Sequence, residues 1–175
     1  TTIQCTGTFR KYEDTGYAPK CWIASSGTTH GNDNVTEAIR DSCNIFFYTV
    51  GDSLPIDTLA RYAAAFGLGE HTGDSLQAAI GQSYSLFTPL QLSEYCATIA
   101  NGGTRHSASI LKSVRSYDGS ELIYENEAEV LSTVETGDYN WAAVQKGMYL
   151  VANDPAGSAY ETFGSYGVKV AAKTG

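Results

Sequence analysis

The most informative part of the sequence is residues 37–48, which read EAIRDSCNIFFY. The spacing of apolar residues from Val35 to Asp41, and again from Ile45 to Gly51, predicts two short helices. Their break falls on Ser42-Cys43-Asn44, and a serine hydroxyl at such a junction can serve as a helix cap. The tripeptide by itself therefore predicts a helix junction, and any chemical role for it depends on the rest of the chain.

Further elements follow this junction. Pro55 and Gly67 bracket a third helix, because proline suits a first helical turn and glycine a left-handed stop. Thr88-Pro89-Leu90-Gln91 combines a capping box with proline and starts a helix that stops at Asn101-Gly102-Gly103. The other predicted elements are short strands and loops in residues 1–34, a hairpin of residues 109–115 and 121–125, a helix of residues 139–151 and a last strand of residues 166–173. Central helices with strands towards both ends indicate an α+β fold.

Composition and charge exclude several classes of partner. The chain has 175 residues, a net charge of -8 and a pI near 4.7, so its field repels nucleic acid and anionic lipid. We therefore expect no nucleic-acid partner. The sequence has neither the apolar run of about 18 residues that a membrane span needs nor the layout of a signal peptide. Both ends look cut, so we expect any targeting or anchoring segment to lie outside these residues.

The four cysteines are Cys5, Cys21, Cys43 and Cys96. No pair has the C-x2-C spacing of common zinc sites, so the sequence predicts no metal site and no cofactor. Cys5 and Cys21 lie in polar, turn-rich sequence, where a disulfide and two free thiols are equally open. Cys43 and Cys96 lie among apolar residues and are predicted to be small buried side chains.

The three histidines, His30, His71 and His106, invite a metal or base hypothesis. None of them lies within helical spacing of another, so no shared helical face presents two imidazoles. The sequence favours surface or turn roles for all three.

A second motif, Lys173-Thr174-Gly175, closes the sequence. The known signature of penicillin-binding proteins and class A β-lactamases is S-x-x-K, S-D-N and K-T-G, and Ser42-Cys43-Asn44 and Lys173-Thr174-Gly175 resemble its last two parts. Other segments resemble the class B penicillin-binding transpeptidases in the same order, so that the resemblance covers nearly the whole chain. These segments are Cys5-Thr6-Gly7, Lys20-Cys21-Trp22, His30-Gly31, Glu37-Ala38-Ile39, Phe66-Gly67-Leu68-Gly69, Ala79-Ile80-Gly81-Gln82, Thr88-Pro89-Leu90-Gln91-Leu92, Ala100-Asn101-Gly102-Gly103 and Val170-Ala171-Ala172.

The resemblance implies a part of the serine β-lactamase/transpeptidase fold, with a helical subdomain and an incomplete antiparallel sheet. Residues 1–175 would be a partial transpeptidase domain. The implied function is that of a peptidoglycan D,D-transpeptidase, which crosslinks stem peptides through a serine acyl-enzyme and is the target of β-lactams. The implied partners are the D-Ala-D-Ala stem peptide, β-lactam antibiotics and other cell-wall synthesis proteins. The implied location is the extracytoplasmic face of the bacterial plasma membrane, anchored by a segment outside this chain.

The resemblance also implies roles for single residues. Ser42 would relay a proton towards the leaving group, and Asn44 would hold the side amide of the substrate. Lys173 would place a positive charge beside Ser42 and attract the substrate carboxylate, which the Thr174 hydroxyl would meet. Gly175 has no side chain, so the substrate backbone could lie against the terminal strand.

The chain departs from the family pattern in three places. The S-x-x-K motif that supplies nucleophile and base is expected before Cys5, so we predict these residues to be inactive alone. Ser109-Ile110-Leu111-Lys112 has matching letters, but it follows the S-x-N and lies in a predicted strand, where residues three apart face opposite sides. Residues 73–74 join where the family usually has a longer Pro-Gly-rich stretch, and Ser83 stands in place of a glycine.

Two other functions fit the same motifs. A serine β-lactamase shares them but must deacylate quickly, and a β-lactam sensor domain shares the pocket without turnover. The cysteine-bearing N-terminal part and the helix that starts at Thr88 resemble the transpeptidases more closely. The Asp154–Ala159 segment resembles the loop before the last strand and is expected to shape that loop.

Overall fold

The computed structural model describes residues 1–69, 75–82 and 86–175. The predicted junction at residues 73–74, Ser83 and His71 lie outside the described residues. Within those ranges no helix is both sufficiently long and sufficiently hydrophobic to span a lipid bilayer.

The described residues form helices and short antiparallel strands, which confirms the α+β class. The helices are α1 (Val35–Asp41), α2 (Asn44–Ser53), α3 (Ile56–Ala65), α4 (Ser75–Ala79), α5 (Pro89–Ala100), α6 (Asp138–Asn153) and α7 (Tyr160–Phe163). The strands are β1 (Ile3–Cys5), β2 (Gly31–Asp33), β3 (Thr104–His106), β4 (Ser113–Arg115), β5 (Leu122–Glu125) and β6 (Val130–Thr133). They pair as β1 with β2, β3 with β6 and β4 with β5.

The two helices predicted around the S-x-N tripeptide are confirmed. Helix α1 begins with a capping box in which the Asn34 side chain accepts the N–H groups of Thr36 and Glu37, and the Glu37 carboxylate accepts the Asn34 N–H. It ends at Asp41, as predicted, and α2 begins one residue earlier than expected, at Asn44. Ser42 and Cys43 alone form the break.

The predicted capping and stop residues of the later helices are also confirmed. Thr88 and Gln91 form the predicted capping box at the start of α5, and Gly67 adopts the predicted left-handed conformation (φ 78°) after α3. Pro55 is the residue before α3 rather than its first residue. The predicted hairpin forms from β4 and β5, but β4 begins only at Ser113, so that residues 109–112 are a loop.

The predicted last strand is wrong. Residues 166–173 form no strand, and their backbone instead contacts α6: the Ala172 N–H donates to the Met148 carbonyl. The Asn153 side chain also donates to the Val170 carbonyl at 2.7 Å. A strand requires a partner for its N–H and C=O groups, and the alternating pattern of Val168, Val170 and Ala172 finds no such partner among the described residues.

Packing of α6 on α1 sets the frame for the terminal segment. Gly147 in α6 is buried against Ile39 in α1, and a Cβ there would lie 2.8 Å from the Ile39 Cβ. The Thr36 hydroxyl donates to the Ala143 carbonyl at 3.1 Å. Because the end of α1 carries Ser42 while α6 holds residues 170–172, this helix pair brings the two motifs towards each other.

The main core surrounds α2 and includes three cysteines. Cys5, Cys21 and Cys43 are at most 2% exposed and pack with Phe46 and other apolar side chains. Burial of Cys43 confirms its predicted position. The prediction for Cys96 is wrong, because it lies on the exposed face of α5.

Candidate active site

The S-x-N and K-T-G motifs meet at one hydrogen bond. The Lys173 ammonium donates to the Ser42 hydroxyl oxygen at 2.7 Å, although the two residues are 131 positions apart in sequence. The ammonium also donates to the Thr174 carbonyl at 2.7 Å. Since the Ser42 oxygen accepts a proton from the ammonium, its own O–H is left to donate elsewhere.

Ser42 has a strained backbone at this point. Its φ of 52° and ψ of 45° are left-handed, and Ser42 is the one non-glycine residue with positive φ in the described part of the chain. The Cys43 N–H donates to the Ala38 carbonyl and the Ser42 N–H to the Ile39 carbonyl, which is a Schellman motif. Glycine is the usual residue there, and a serine costs about 1–2 kcal/mol of backbone strain. Strain of this kind is concentrated at functional sites.

The Lys173 ammonium is partly withdrawn from water where it contacts Ser42. This burial lowers the pKa of Lys173 below its ordinary value. The backbone before it is held to α6 by the bonds at Val170 and Ala172. A cation placed in this way can stabilise an oxyanion or a carboxylate.

Thr174 is positioned by a residue that sequence reasoning assigned only to a loop. The Ser158 and Thr174 hydroxyl oxygens lie 2.9 Å apart, and the Ser158 N–H donates to the Arg40 carbonyl at the end of α1. Ser158 thus connects the loop after α6 to both motifs. Gly175 is exposed, and a Cβ there would meet no atom within 4 Å.

Asn44 lies at the start of α2, next to Ser42 but with a different partner. Its side-chain amide donates to the Lys20 carbonyl at 3.3 Å. The contacts of Asn44 therefore fix it to the N-terminal part of the chain, and the structure does not join it directly to Lys173.

A charge pair flanks the serine on its N-terminal side. The Arg40 guanidinium binds the Asp41 carboxylate in a bidentate manner, at 2.6 and 2.9 Å. The hydrogen bond to Asp41 raises the pKa of Arg40. The pair keeps the carboxylate beside Ser42 neutralised, so that it does not offset the charge of Lys173.

A cluster of three thiols and one imidazole lies next to the Ser42 turn, because Cys43 follows Ser42 in sequence. The ligand atoms of Cys5, Cys21, His30 and Cys43 all lie within 4.8 Å of one another. All four cysteines of the chain are free, so the structure favours two thiols over a Cys5–Cys21 disulfide. Contrary to expectation, His30 lies neither on the surface nor in a turn: its ring is partly buried, with Nε2 shielded from solvent and Nδ1 3.5 Å from the Cys21 sulfur.

Hydrogen bonds within the cluster favour the thiolate form of Cys21. The pKa of Cys21 is lowered to about 4 because Cys43 donates to its sulfur, aided by backbone N–H groups of Asn44, Ile23 and Ile45. Donation of that proton raises the pKa of Cys43. Two buried atoms at this site, His30 Nε2 and Asp33 Oδ2, have no hydrogen-bond partner among the described residues.

The chemistry of this donor set fits zinc. Cys3His is a known structural zinc combination, in which tetrahedral bonds of about 2.3 Å would place sulfur atoms about 3.8 Å apart. The C-x2-C spacing test considered neighbours in sequence only, whereas these four ligands come from four separate segments. To bind one zinc ion, these ligand atoms, which lie within 4.8 Å of one another, would have to move only slightly closer together.

Ser109 and Lys112, which matched S-x-x-K in letters, have no helical arrangement. The Ser109 hydroxyl accepts the Leu111 N–H and donates to the Leu111 carbonyl. This local turn agrees with its dismissal as a nucleophile. Sequence reasoning missed the contacts of Trp22, whose indole Nε1 lies 3.1 Å from the Asp41 and Ser42 carbonyl oxygens. It also missed those of Ser158, since only tertiary contacts connect either residue to the motifs.

Comparison with known proteins identifies the family. A family model described as the penicillin binding protein transpeptidase domain matches residues 6–175. The chain is 30% identical to the peptidoglycan D,D-transpeptidase MrdA of Escherichia coli K12, over 83% of this chain and 27% of the relative. It is 32% identical to penicillin-binding protein 2A of Bacillus subtilis, over 83% of this chain and 25% of the relative.

Solved structures share the fold over the whole chain. Penicillin-binding protein 2B of Streptococcus pneumoniae covers 100% of this chain, and 35% of its own, with a TM-score of 0.82 and 20% identity. PBP2 of Helicobacter pylori also covers 100% of this chain, and 35% of its own, with a TM-score of 0.76 and 24% identity. The chain spans about a quarter of the length of the curated relatives it matches. Because the family match extends across both motifs and all but the first five residues, the chain belongs to the penicillin-binding protein transpeptidase domain family, and its resemblance to the class B members is confirmed.

Proposed function

We propose that the longer protein containing this chain is a peptidoglycan D,D-transpeptidase that crosslinks stem peptides through a serine acyl-enzyme. The observation that carries the proposal is the 2.7 Å bond between the Lys173 ammonium and the Ser42 hydroxyl. It joins the S-x-N and K-T-G motifs. A serine that only caps a helix would not require a lysine 131 positions away in sequence.

In this mechanism Ser42 moves a proton and Lys173 supplies charge. The nucleophilic serine and its base are expected in an S-x-x-K segment upstream of Cys5. Ser42 accepts the Lys173 N–H, so its own O–H is free to donate to the nitrogen that leaves when the acyl bond forms. The Ser42 oxygen then regains a proton from the base that deprotonated the nucleophile, so that Ser42 relays one proton and ends unchanged. The ammonium keeps the serine oriented and stabilises negative charge beside it.

The remaining motif residues bind substrate in this proposal. Thr174 offers a hydroxyl, already oriented by Ser158, to the terminal carboxylate of a D-Ala-D-Ala stem or of a β-lactam. Asn44 holds a side amide of the substrate, which requires its amide to exchange the long 3.3 Å bond to the Lys20 carbonyl. Gly175 leaves room for the substrate backbone.

The test is acylation of the longer protein by a fluorescent penicillin, together with mass spectrometry of crosslinked stem peptides. Lys173→Met removes the ammonium but keeps the length of the side chain, and we expect acylation to slow by about a hundredfold or more. Lys169→Met, which removes an exposed lysine of the same segment, is the matched control and should acylate normally. Equal rates in the two variants would contradict the proposal.

The fate of the label separates this function from the alternatives. A transpeptidase retains the penicillin and also produces crosslinked stems. Rapid release of the label would identify a β-lactamase, and retention without any crosslinked product would identify a sensor.

Partners and location follow from the same proposal. One solved relative is a complex of PBP2 with MreC from Helicobacter pylori, and another belongs to a peptidoglycan synthase complex. We expect the longer protein to act with cell-wall synthesis proteins at the extracytoplasmic face of the plasma membrane, where its substrate lies.

We also propose that the cluster of Cys5, Cys21, His30 and Cys43 binds a structural zinc ion. Its buried thiols, a sulfur with a lowered pKa and an unpartnered imidazole nitrogen favour this role. Metal analysis of the purified longer protein should find zinc in equimolar amount.

Single variants test the zinc assignment. Cys21→Ser should lose the metal, whereas the exposed Cys96→Ser should retain it. A metal-free protein with four reactive thiols, or zinc content unaffected by Cys21→Ser, would contradict the assignment.

A further inference from the structure

We propose that Trp22 is a positioning residue for acylation, which holds the left-handed Ser42 turn through its indole N–H. The inference rests on the proposed transpeptidase function. The Trp22 Nε1 atom lies 3.1 Å from the Asp41 carbonyl oxygen and 3.1 Å from the Ser42 carbonyl oxygen. One N–H therefore contacts the carbonyl oxygens of both Asp41 and Ser42, at the left-handed Ser42 turn.

These two carbonyls are where a donor has the greatest structural effect. They belong to the last residue of α1 and to the residue after it, where backbone oxygens lack partners within the helix. The Ser42 backbone is strained, and the Schellman bonds hold its N–H side only. The indole restrains the opposite, carbonyl side of the same residue, so a change in the Ser42 backbone that carries its Cβ away from Lys173 would break the Trp22 bonds.

Trp22 is itself fixed on both sides. It opens a 3₁₀ turn, Trp22–Ser26, directly after the buried Cys21. Its ring lies 5.4 Å from that of His30. The neighbouring contacts hold other parts of the junction, since Asn44 binds the Lys20 carbonyl and Cys43 faces Cys21. The carbonyl side of Ser42 thus depends on Trp22.

The ring could have a different use, because Trp22 is 52% exposed. An exposed aromatic face next to the site could contact the side chain of a substrate or antibiotic. This alternative predicts an effect on noncovalent binding, whereas a positioning role predicts an effect on the rate of the chemical step. The two roles are therefore separable by kinetics.

The experiment replaces Trp22 in the longer protein by its benzothiophene analogue, which keeps the ring shape but has sulfur in place of the indole N–H. Tryptophan inserted at the same codon by the same suppression method is the control. Stopped-flow acylation over a range of fluorescent penicillin concentrations yields the noncovalent dissociation constant and the first-order acylation constant separately. The acylation constant refers to active molecules, so a change in the folded fraction does not alter it.

We expect the analogue to lower the first-order acylation constant about three- to tenfold, the effect of one lost hydrogen bond. The dissociation constant should stay within about twofold, because the carboxylate contacts are unchanged. Trp22→Phe should repeat this result, and Trp141→Phe, which alters a tryptophan packed on Gly103 instead, should leave the acylation constant unchanged.

An unchanged acylation constant in the analogue would overturn the inference, and so would a weaker dissociation constant with normal acylation. Both outcomes leave the transpeptidase proposal intact. A tryptophan-containing protein that takes no label contradicts the proposed function itself, and this inference falls with it.

Discussion

The backbone strain at Ser42 predicts that glycine is more stable than alanine at this position, which is the opposite of their helix propensities. Ser42→Gly and Ser42→Ala both lose the bond to Lys173, so the difference between them reports the backbone alone. Alanine retains the left-handed penalty of about 1–2 kcal/mol, and glycine avoids it but loses about 0.5–1 kcal/mol through its greater freedom in the unfolded chain. The glycine variant should therefore be more stable by about 0.5–1 kcal/mol, although both should lose most of the acylation activity.

Differential scanning calorimetry should resolve this difference as a Tm about 1–4 °C higher for Ser42→Gly. The same pair of substitutions at Ser93, inside the right-handed helix α5, is the control, and there alanine should win by about 1 kcal/mol. Glycine is thus predicted to be more stable than alanine at Ser42, and less stable than alanine at Ser93. If Ser42→Ala equals or exceeds Ser42→Gly in Tm, the strain argument is refuted.

Three further predictions concern the frame of the site. Burial lowers the pKa of Lys173, so the acylation rate should decline with rising pH at a midpoint below the ordinary lysine pKa of 10.5. Lys173→Arg should move that decline to higher pH, because arginine keeps its charge. A midpoint above 10.5 in the unaltered protein would contradict the burial argument. Gly147→Ala should lower stability by about 1–3 kcal/mol in a urea titration, because the new methyl overlaps Ile39, whereas helix propensity alone predicts a gain. Treatment with a strong zinc chelator should lower the Tm of the protein but not that of Cys21→Ser, which lacks the site; equal changes in the two would contradict a structural metal.

Helix ends were predictable from sequence because their causes are local. The Thr88 and Gln91 side chains cap helix α5, which starts beside them, and Gly67 supplies the left-handed stop of α3 within one turn of that helix's end. Alternation in residues 166–173 was misleading for a complementary reason. A strand is stable only when another strand pairs with it, and this pairing is not encoded in the alternating segment itself.

The candidate site was predictable in part. The order of the motifs indicated that Ser42 and Lys173 should meet, and the 2.7 Å bond agrees with that expectation. Nothing near Cys21 or His30 in sequence indicated that they would share a cluster with Cys43, because the spacing test considers ligands a few residues apart. Cys96 was misplaced since the apolar residues around it do not reveal which face of α5 is buried.

The amino-acid sequence by itself determined the α+β class, the junction at Ser42, the principal helix ends and the family, since each follows from neighbouring side chains or from motif order. Tertiary structure alone decided the left-handed backbone of Ser42, the bond of Trp22 to its carbonyl, the support of Thr174 by Ser158 and the gathering of the thiols. The physical reason is that packing of α6 on α1, and of the N-terminal part on α2, determines which distant polar groups come within hydrogen-bonding or ligand distance.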